Sequence, residues 1–247
     1  MSNWLDALRA GAQELGLSLT EEQETRFGNY LQLLLERNEH VNLTAITDPV
    51  EVAVKHFVDS LSVELVWRPQ PGDLLIDIGT GAGLPGIPMA IRHPEVTVVL
   101  NDSMRKKVDF LSDTVKALGL ENAIPNWERA EVIGRDPQYR AQANVVVARA
   151  LAHLAGLIEY GLPLLKTGGT LIAMKGPVGQ DEASESARAL SLVGGKITEI
   201  RRLKISGAGE RQLIVVTKMR ATPFDYPRDP AAMKKKPLRL DSGRGTP

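Results

Sequence analysis

From Pro71 onward the apolar positions fall in short, nearly continuous runs: LLIDI (74–78), VTVVLND (96–102), AIPNW (123–127), NVVVARA (144–150), TLIAMK (170–175), KITEIRRLKI (196–205) and RQLIVVTK (211–218). Runs of this kind predict strands buried on both faces, as in a parallel sheet covered by helices, and the amphipathic stretches between them supply the helices. Between the last two runs lies a short loop, Ser206-Gly207-Ala208-Gly209, too brief for a crossover helix, so these two strands pair antiparallel. Before Pro71 the spacing is helical. Trp4, Leu5, Leu8, Ala12 and Leu15 share one face, and Thr20-Glu21-Glu22-Gln23 forms a capping box ahead of Phe27, Tyr30, Leu31, Leu34 and Leu35. Asp48-Pro49-Val50-Glu51 opens another helix, with an N-cap, proline in the first turn and inward Val54, Phe57, Val58 and Leu61. The expected architecture is α/β, mainly parallel with an antiparallel terminal strand. It divides into a helical N-terminal extension (1–70), a ligand-binding domain (71–220) and a C-terminal tail (221–247).

Composition narrows the chemistry. A chain of 247 residues with 43% hydrophobic content can build a substantial core. No apolar run approaches the ~20 residues of a membrane span, and MSNWLDALRA lacks the features of a signal peptide, so we expect a cytoplasmic protein without membrane contact. There is no cysteine, hence no disulfide, thiolate nucleophile or cysteine-ligated zinc, and His40, His56, His93 and His153 show no metal-binding spacing. Net charge is zero, but residues 218–247 carry eight Lys/Arg against three Asp. That excess suits a phosphate-contacting surface, and equally a solvated end.

The stretch DIGTGAGLPGIPMAI (77–91) delivers a strand through a glycine loop into a helix. Gly81-Ala82-Gly83-Leu84-Pro85-Gly86 matches GxGxxG, and Asp102 lies where a dinucleotide fold places its ribose carboxylate. A dinucleotide needs free backbone N–H groups at the helix start for its diphosphate. Here Asp77 precedes the loop, and Pro85 and Pro88 have no N–H. S-adenosylmethionine suits these residues better. Asp77 attracts its cationic methionine end, Gly79, Gly81 and Gly83 let the backbone approach, and Asp102 accepts the ribose hydroxyls. In Trp127-Glu128-Arg129-Ala130-Glu131, a small residue and a carboxylate are available to the adenine. The bland alternative is glycine for turn geometry and carboxylates for helix caps.

Methyl transfer is an in-line displacement, so alignment dominates, with proton removal only where the acceptor demands it. Pyrimidine-C5 methylation needs a cysteine, which is absent; exocyclic amines are usually served by a [DN]PP[YF] loop, where this chain reads ARAL (148–151). A guanine N7 has a free lone pair and needs no general base. Arg149, leaving the fourth strand, is placed for the methionine carboxylate, the guanine O6 or a phosphate, or else for a salt bridge.

Taken together, VNLTAI (41–46), KHFVDSL (55–61), DIGTGAGLPGIPMAI, NDSMRKKVDFL (101–111), RAE (129–131), ARAL, AMKGP (173–177) and YPR (226–228) followed by KKKPL resemble the bacterial 16S ribosomal RNA guanine-N7 methyltransferase (RsmG, or GidB) family. The similarity runs from about Val41 to Leu240. It implies a Rossmann-like class I methyltransferase fold, S-adenosyl-L-methionine as cofactor, and 16S ribosomal RNA or the small ribosomal subunit as partner; separately, we expect a monomer. The cofactor contacts it implies are Gly79, Leu84, Asp102, Ser103, Ala130, Glu131 and Arg149, the last also as the positioning residue of the transfer. Leu84 stands where many relatives have phenylalanine.

Candidate RNA contacts are His56, on one helical face with Asp59, and Lys175 at the end of the fifth strand. Arg105 and Lys106 at a helix start, Arg201 and Arg202, and Lys234, Lys235 and Lys236 complete the set. For each, an ordinary packing or solvated role is the alternative. Aromatic residues are only 4%, which points to recognition by shape and phosphate over multi-base stacking. Two other functions fit such a fold, a nicotinamide dehydrogenase and a non-catalytic RNA-binding protein. The first lacks a YxxxK pair, since Tyr160 is followed four residues on by Leu164.

Overall fold

All seven apolar runs form strands in the computed structural model, which describes residues 3–176 and 179–239. In chain order they are β1 (Leu74–Ile78), β2 (Thr97–Asp102), β3 (Ala123–Trp127), β4 (Ala143–Arg149), β5 (Leu165–Lys175), β6 (Gly195–Ile205) and β7 (Gly209–Lys218). They make one sheet in the order β3-β2-β1-β4-β5-β7-β6. The pairs β1–β2, β1–β4, β2–β3 and β4–β5 are parallel, and β7 runs antiparallel to both neighbours. The antiparallel strand is thus last in the chain but one place in from the edge, because the short 206–208 turn folds it back between β5 and β6. Pro125 lies in the edge strand β3, where a missing N–H is tolerated.

Alternate strand residues feed two cores. Leu75, Val98, Leu100, Val145, Val147 and Ile172 face one side, and Ile76, Ile78, Val99, Val146, Leu171 and Ile214 the other. The first core is covered by α1 (Asn3–Glu14), α2 (Glu21–Asn38), α5 (Gly86–Arg92) and α6 (Arg105–Leu118). To these is added a composite helix of α3 (Pro49–Val52), a π-helical segment (Ala53–Val58), α4 (Asp59–Leu61) and a 3-10 turn (Ser62–Leu65). The capping box on α2 and the Asp48 cap on α3 both form. The π-helical turn is a departure from the regular helix that the spacing predicts. The second core is covered by α8 (Leu154–Gly161) and α10 (Ala187–Val193); α7 (Ala130–Ile133) and α9 (Gly179–Glu185) are short connecting helices.

Order reverses about β1, whose two neighbours are β2 and β4, and ligands of open α/β sheets bind beyond the strand ends at such a switch point. The N-terminal helices close one side of it. Tyr30 of α2 is fully buried, lies 5.2 Å from the Phe57 ring and donates from its hydroxyl to the Ala82 carbonyl in the glycine loop at 2.6 Å.

The segment after β7 is held along the body by arginines. Arg140 donates to the carbonyls of Thr222, Pro223 and Tyr226. Arg228 grips Glu159 of α8 through Nε at 2.8 Å, its second guanidinium arm at 2.8 Å and its backbone N–H at 3.0 Å. This leads into α11 (Pro230–Lys235), capped by Asp229. Of the tail, residues 240–247, including Asp241 and Arg244, lie outside the described residues, as does Pro177 of the AMKGP stretch.

Glu159 is 1% exposed, so removing its partner strands a buried carboxylate. Arg228→Ala is expected to cost about 3 kcal/mol, read as a lowered urea midpoint with faster proteolysis between residues 219 and 239. An unchanged midpoint would mean that the tail is fixed by other contacts.

Candidate functional site

At the end of β1 the chain enters the glycine loop through a carboxylate that braces it from beneath. Asp77 Oδ2 accepts the Thr80 hydroxyl at 2.5 Å and the Gly86 N–H at 2.8 Å, so one oxygen ties the two ends of the turn together. A Cβ at Gly86 would lie 2.9 Å from that oxygen, which is why the position tolerates no side chain. Gly81 takes φ +63°, and the space its Cβ would enter is open, with only Lys107 Nζ and the Gly79 carbonyl at about 4 Å. Gly83 packs under Ile87. Asp77 is fully buried and its Oδ1 has no hydrogen-bond partner. Burial pushes its carboxyl up to about 7, against the opposing pull of the Thr80 and Gly86 hydrogen bonds and of the Arg149 charge. The residue expected to meet a ligand directly is therefore a clasp under the loop; solvation of Asp77 was sacrificed to shape the turn.

Beyond the loop lies a cleft of about 310 Å³ lined by Gly79, Asn101, Asp102, Ser103, Ala130 and Leu151, among others. It collects the ends of β1, β2, β3 and β4. Asp102 Oδ2 accepts the Gly81 N–H at 3.0 Å and Oδ1 accepts the Met104 N–H at 2.9 Å, with Lys107 Nζ 3.9 Å away. Asn101 donates to Asn126 Oδ1 and to the Glu128 carbonyl, both at 2.9 Å, which fixes the end of β3 against β2. Trp127, half exposed, donates to the Ser103 carbonyl at 3.1 Å and carries the Arg105 guanidinium 4.8 Å from its ring. Glu131 is mostly buried beside Ala130, 3.6 Å from Arg129. Leu151 folds over Gly79, so that a Cβ there would sit 2.5 Å from its Cδ1. Leu84, by contrast, is buried in the core beneath the loop, away from the lining of this cleft. Tyr30 and Leu151 were not among the site residues expected from sequence. Tyr30 has the spacing of a core residue, and Leu151 has no chemistry of its own to mark it.

The expected Arg149 lies between the loop and the composite helix. One guanidinium arm donates to Asp59 Oδ2 at 3.2 Å and to the Lys55 carbonyl at 3.3 Å, and both arms stand 3.5 Å from His56 Nδ1. Asp59 Oδ1 accepts Arg211 Nε at 2.8 Å, and His56 Nε2 pairs with the Thr44 hydroxyl at 2.7 Å. Burial, reinforced by the Arg149 charge, pushes His56 down to about 4, leaving a neutral ring at neutral pH. His56 is thus an internal brace of Arg149, which corrects its expected role as an RNA contact. The π-helical turn that carries it widens the helix where these groups converge.

Two further RNA candidates also have partners within the protein, Lys175 in its interior and Arg201 at its surface. Lys175 is almost buried, donating to the Ala152 carbonyl at 2.6 Å and pairing with Glu182 at 2.8 Å, so it secures the loop after β4 and is not free for phosphate. Arg201 pairs with Glu199 at 2.9 Å and donates to the Leu65 carbonyl at 2.7 Å. With Arg202, which is exposed, it sits on edge strand β6, four strands from β1, or roughly 19 Å across the sheet. Arg105 pairs with Asp109 and stays exposed; Lys106 and Lys234, Lys235 and Lys236 are exposed.

Comparison with known proteins agrees with this geometry. The family model described as rRNA small subunit methyltransferase G matches residues 23–214. The ribosomal RNA small subunit methyltransferase G of Pelotomaculum thermopropionicum is 46% identical over 96% of this chain and 100% of its own length. That of Roseiflexus castenholzii is 43% identical over 95% and 100%. Among solved structures, a SAM-dependent methyltransferase from Aquifex aeolicus superposes with a TM-score of 0.51 at 17% identity, covering 70% of this chain and 94% of that one. A geranyl diphosphate methyltransferase in complex with SAM gives 0.53 at 15% identity, over 73% and 95%. These structures share the Rossmann-like methyltransferase fold. The chain belongs to the rRNA small subunit methyltransferase G family.

Proposed function

We propose that the cleft binds S-adenosylmethionine and that the chain transfers its methyl group to N7 of a guanine in the 16S RNA of the small ribosomal subunit. The observation that carries the reading is how the loop uses its amides. Gly86 N–H goes to Asp77, Ile87 N–H to the Gly83 carbonyl at 2.7 Å and Met89 N–H to the Pro85 carbonyl at 3.1 Å, while Pro88 has none. The start of α5 therefore offers no donors for a diphosphate, which argues against a nicotinamide cofactor. A nucleoside without phosphate needs only what the cleft holds.

Asp102 is assigned to the ribose hydroxyls, Ala130 and Glu131 to the adenine, and the open space beside Gly81, next to Gly79 and the Leu151 side chain that covers it, to the methionine end. Ser103 lines the cleft beside Asp102, and the loop residues Gly83 and Leu84 support its wall from behind. Arg149 is the positioning cation, its guanidinium held from behind by Asp59 and His56. When bound, S-adenosylmethionine supplies a methyl group activated by a sulfonium charge. The chain's part is alignment and exclusion of water. His56 is neutral, with Nε2 on the Thr44 hydroxyl and Nδ1 facing Arg149, and the closer Asp59 carboxylate is taken up by Arg149 and Arg211, which suits an acceptor that carries its own lone pair. Among the described residues no helix is long and apolar enough to cross a membrane, and the proposed ribosomal substrate supports a cytoplasmic location.

Tritiated methyl transfer from S-adenosylmethionine to small subunits lacking the modification tests the activity. Label confined to a guanine N7 of 16S RNA is expected; binding without transfer would leave a non-catalytic RNA-binding protein. Gly81→Val forces a branched side chain into a left-handed backbone and into the cleft. It should abolish heat in a titration with S-adenosylhomocysteine while the far-UV spectrum is kept, and undiminished binding would put the pocket elsewhere. For Asp77 the folded carboxyl holds its proton to about 7, against ~3.9 in an unfolded chain. The folded state thus binds more protons over this window, and the stability of the unliganded protein falls as pH rises from about 4 to about 7. A cationic ligand favours the ionised form, so affinity for S-adenosylmethionine should tighten between pH 6 and 8, and Asp77→Asn should flatten that dependence. A pH-independent wild type would remove Asp77 from the electrostatics of binding.

A further inference from the structure

We propose that the groove between α8 and α11 is a second RNA subsite, which seats a nucleotide flanking the methylated guanine by stacking on Tyr160 and by phosphate contacts from Lys234 and Arg239. The inference rests on the methyl-transfer reading above and adds the path of the polynucleotide.

The groove has a volume of about 350 Å³, with Ala152, Gly156 and Tyr160 on one wall and Met233, Lys234 and Pro237 on the other, and Arg239 at its end. That is the scale of a small-ligand pocket. Its tail-side wall is fixed. Arg228 holds Glu159 on α8 and donates from its remaining arm to the Lys236 carbonyl at 3.0 Å, so α11 is pinned at its end as well as at its Asp229 cap. The cations of the tail are therefore presented on an anchored element.

Charge identifies the occupant. Residues 218–239 carry seven Lys/Arg against two Asp, and Lys234, Lys235, Lys236 and Arg239 are exposed. The acid inside the groove, Glu159, is matched by Arg228, one of those seven, which leaves six Lys/Arg against the two Asp, and Glu185 is engaged by His153 at 2.9 Å. Tyr160 is partly exposed, and burial together with the nearby Glu131 raises its hydroxyl, which stays neutral and leaves a flat ring for a base. Cations beside an aromatic face are the elements that single-stranded RNA recognition requires.

Position links the groove to the reaction. Ala150 and Leu151 line the cofactor cleft, and the next two residues, Ala152 and His153, line the groove. One loop is the wall between them, and two residues of chain span at most ~7 Å. Lys175, which holds the Ala152 carbonyl, keeps that wall in place. A guanine entering at Leu151 leaves its neighbour over Ala152 and Tyr160, with the connecting phosphate toward Lys234.

The test uses the full chain and 16S RNA lacking the modification, both isolated and in small subunits, by filter binding from 50 to 200 mM KCl with methyl-transfer kinetics. Lys234→Ala/Arg239→Ala should weaken RNA binding and raise KM for RNA about tenfold, and make the log K against log salt slope shallower by about 1.4, two single-strand phosphates. Affinity for S-adenosylhomocysteine should be unchanged. Tyr160→Leu should weaken RNA binding about tenfold, within the range of one lost base stack, and Tyr160→Phe should restore it. A wild type that methylates, with a double variant that keeps both RNA affinity and salt slope, would overturn the subsite alone. A wild type that neither binds S-adenosylhomocysteine nor methylates would overturn the parent reading. Weakened binding to small subunits with unchanged binding to isolated RNA would assign the groove to a ribosomal protein, also overturning the proposal.

Discussion

The site depends on one buried carboxylate. Asp77 Oδ2 joins Thr80 and Gly86, the two ends of the turn between β1 and α5, and so sets how the glycine backbone faces the cleft. Burying an acid is costly unless it is well bonded, and the cost is visible here in a carboxyl raised to about 7 and an oxygen without a partner. The same hydrogen bonds take the helix-start amide that a diphosphate would use, which is the ground on which we propose a ligand without one.

Around that clasp, elements distant in sequence hold the working groups in register. The hydroxyl of Tyr30 reaches the Ala82 carbonyl from α2, and the Tyr30 and Phe57 rings pack together beneath, joining the N-terminal helices to the loop they cover. Arg149 is oriented from the opposite side by Asp59, which is itself shared with Arg211, 152 residues further along the chain. Unlike an exposed ion pair, which contributes little, this mostly buried network fixes the direction of a guanidinium. Its value lies in geometry more than in stability.

Sequence pattern reached the sheet, its antiparallel last strand and the caps of α2 and α3, because each is written in local spacing and turn chemistry. It also placed Gly79, Asp102 and Ala130 at one crevice, because strand ends at a switch point converge there, while their part in binding is what we propose. It did not reach the roles of Lys175, His56 and Arg201, whose partners are Ala152 with Glu182, Thr44 with Arg149, and Leu65 with Glu199. A charged residue near a strand end looks available until the tertiary partner is known. Leu84 was placed at the ligand by resemblance alone, and here it packs inward. The tail read as a basic end; what anchors it is the pairing of Arg228 with Glu159, invisible to local pattern at a separation of 69 residues.

A crystal structure of the protein with S-adenosylhomocysteine tests the central claim most directly. The account requires the ribose hydroxyls on the Asp102 carboxylate, the adenine beside Ala130 and Glu131, and the amino-acid end over Gly79 and Gly81, with Asp77 still clasping Thr80 and Gly86. A nucleoside bound away from Asp102, or one that displaces the Asp77 clasp, would contradict it.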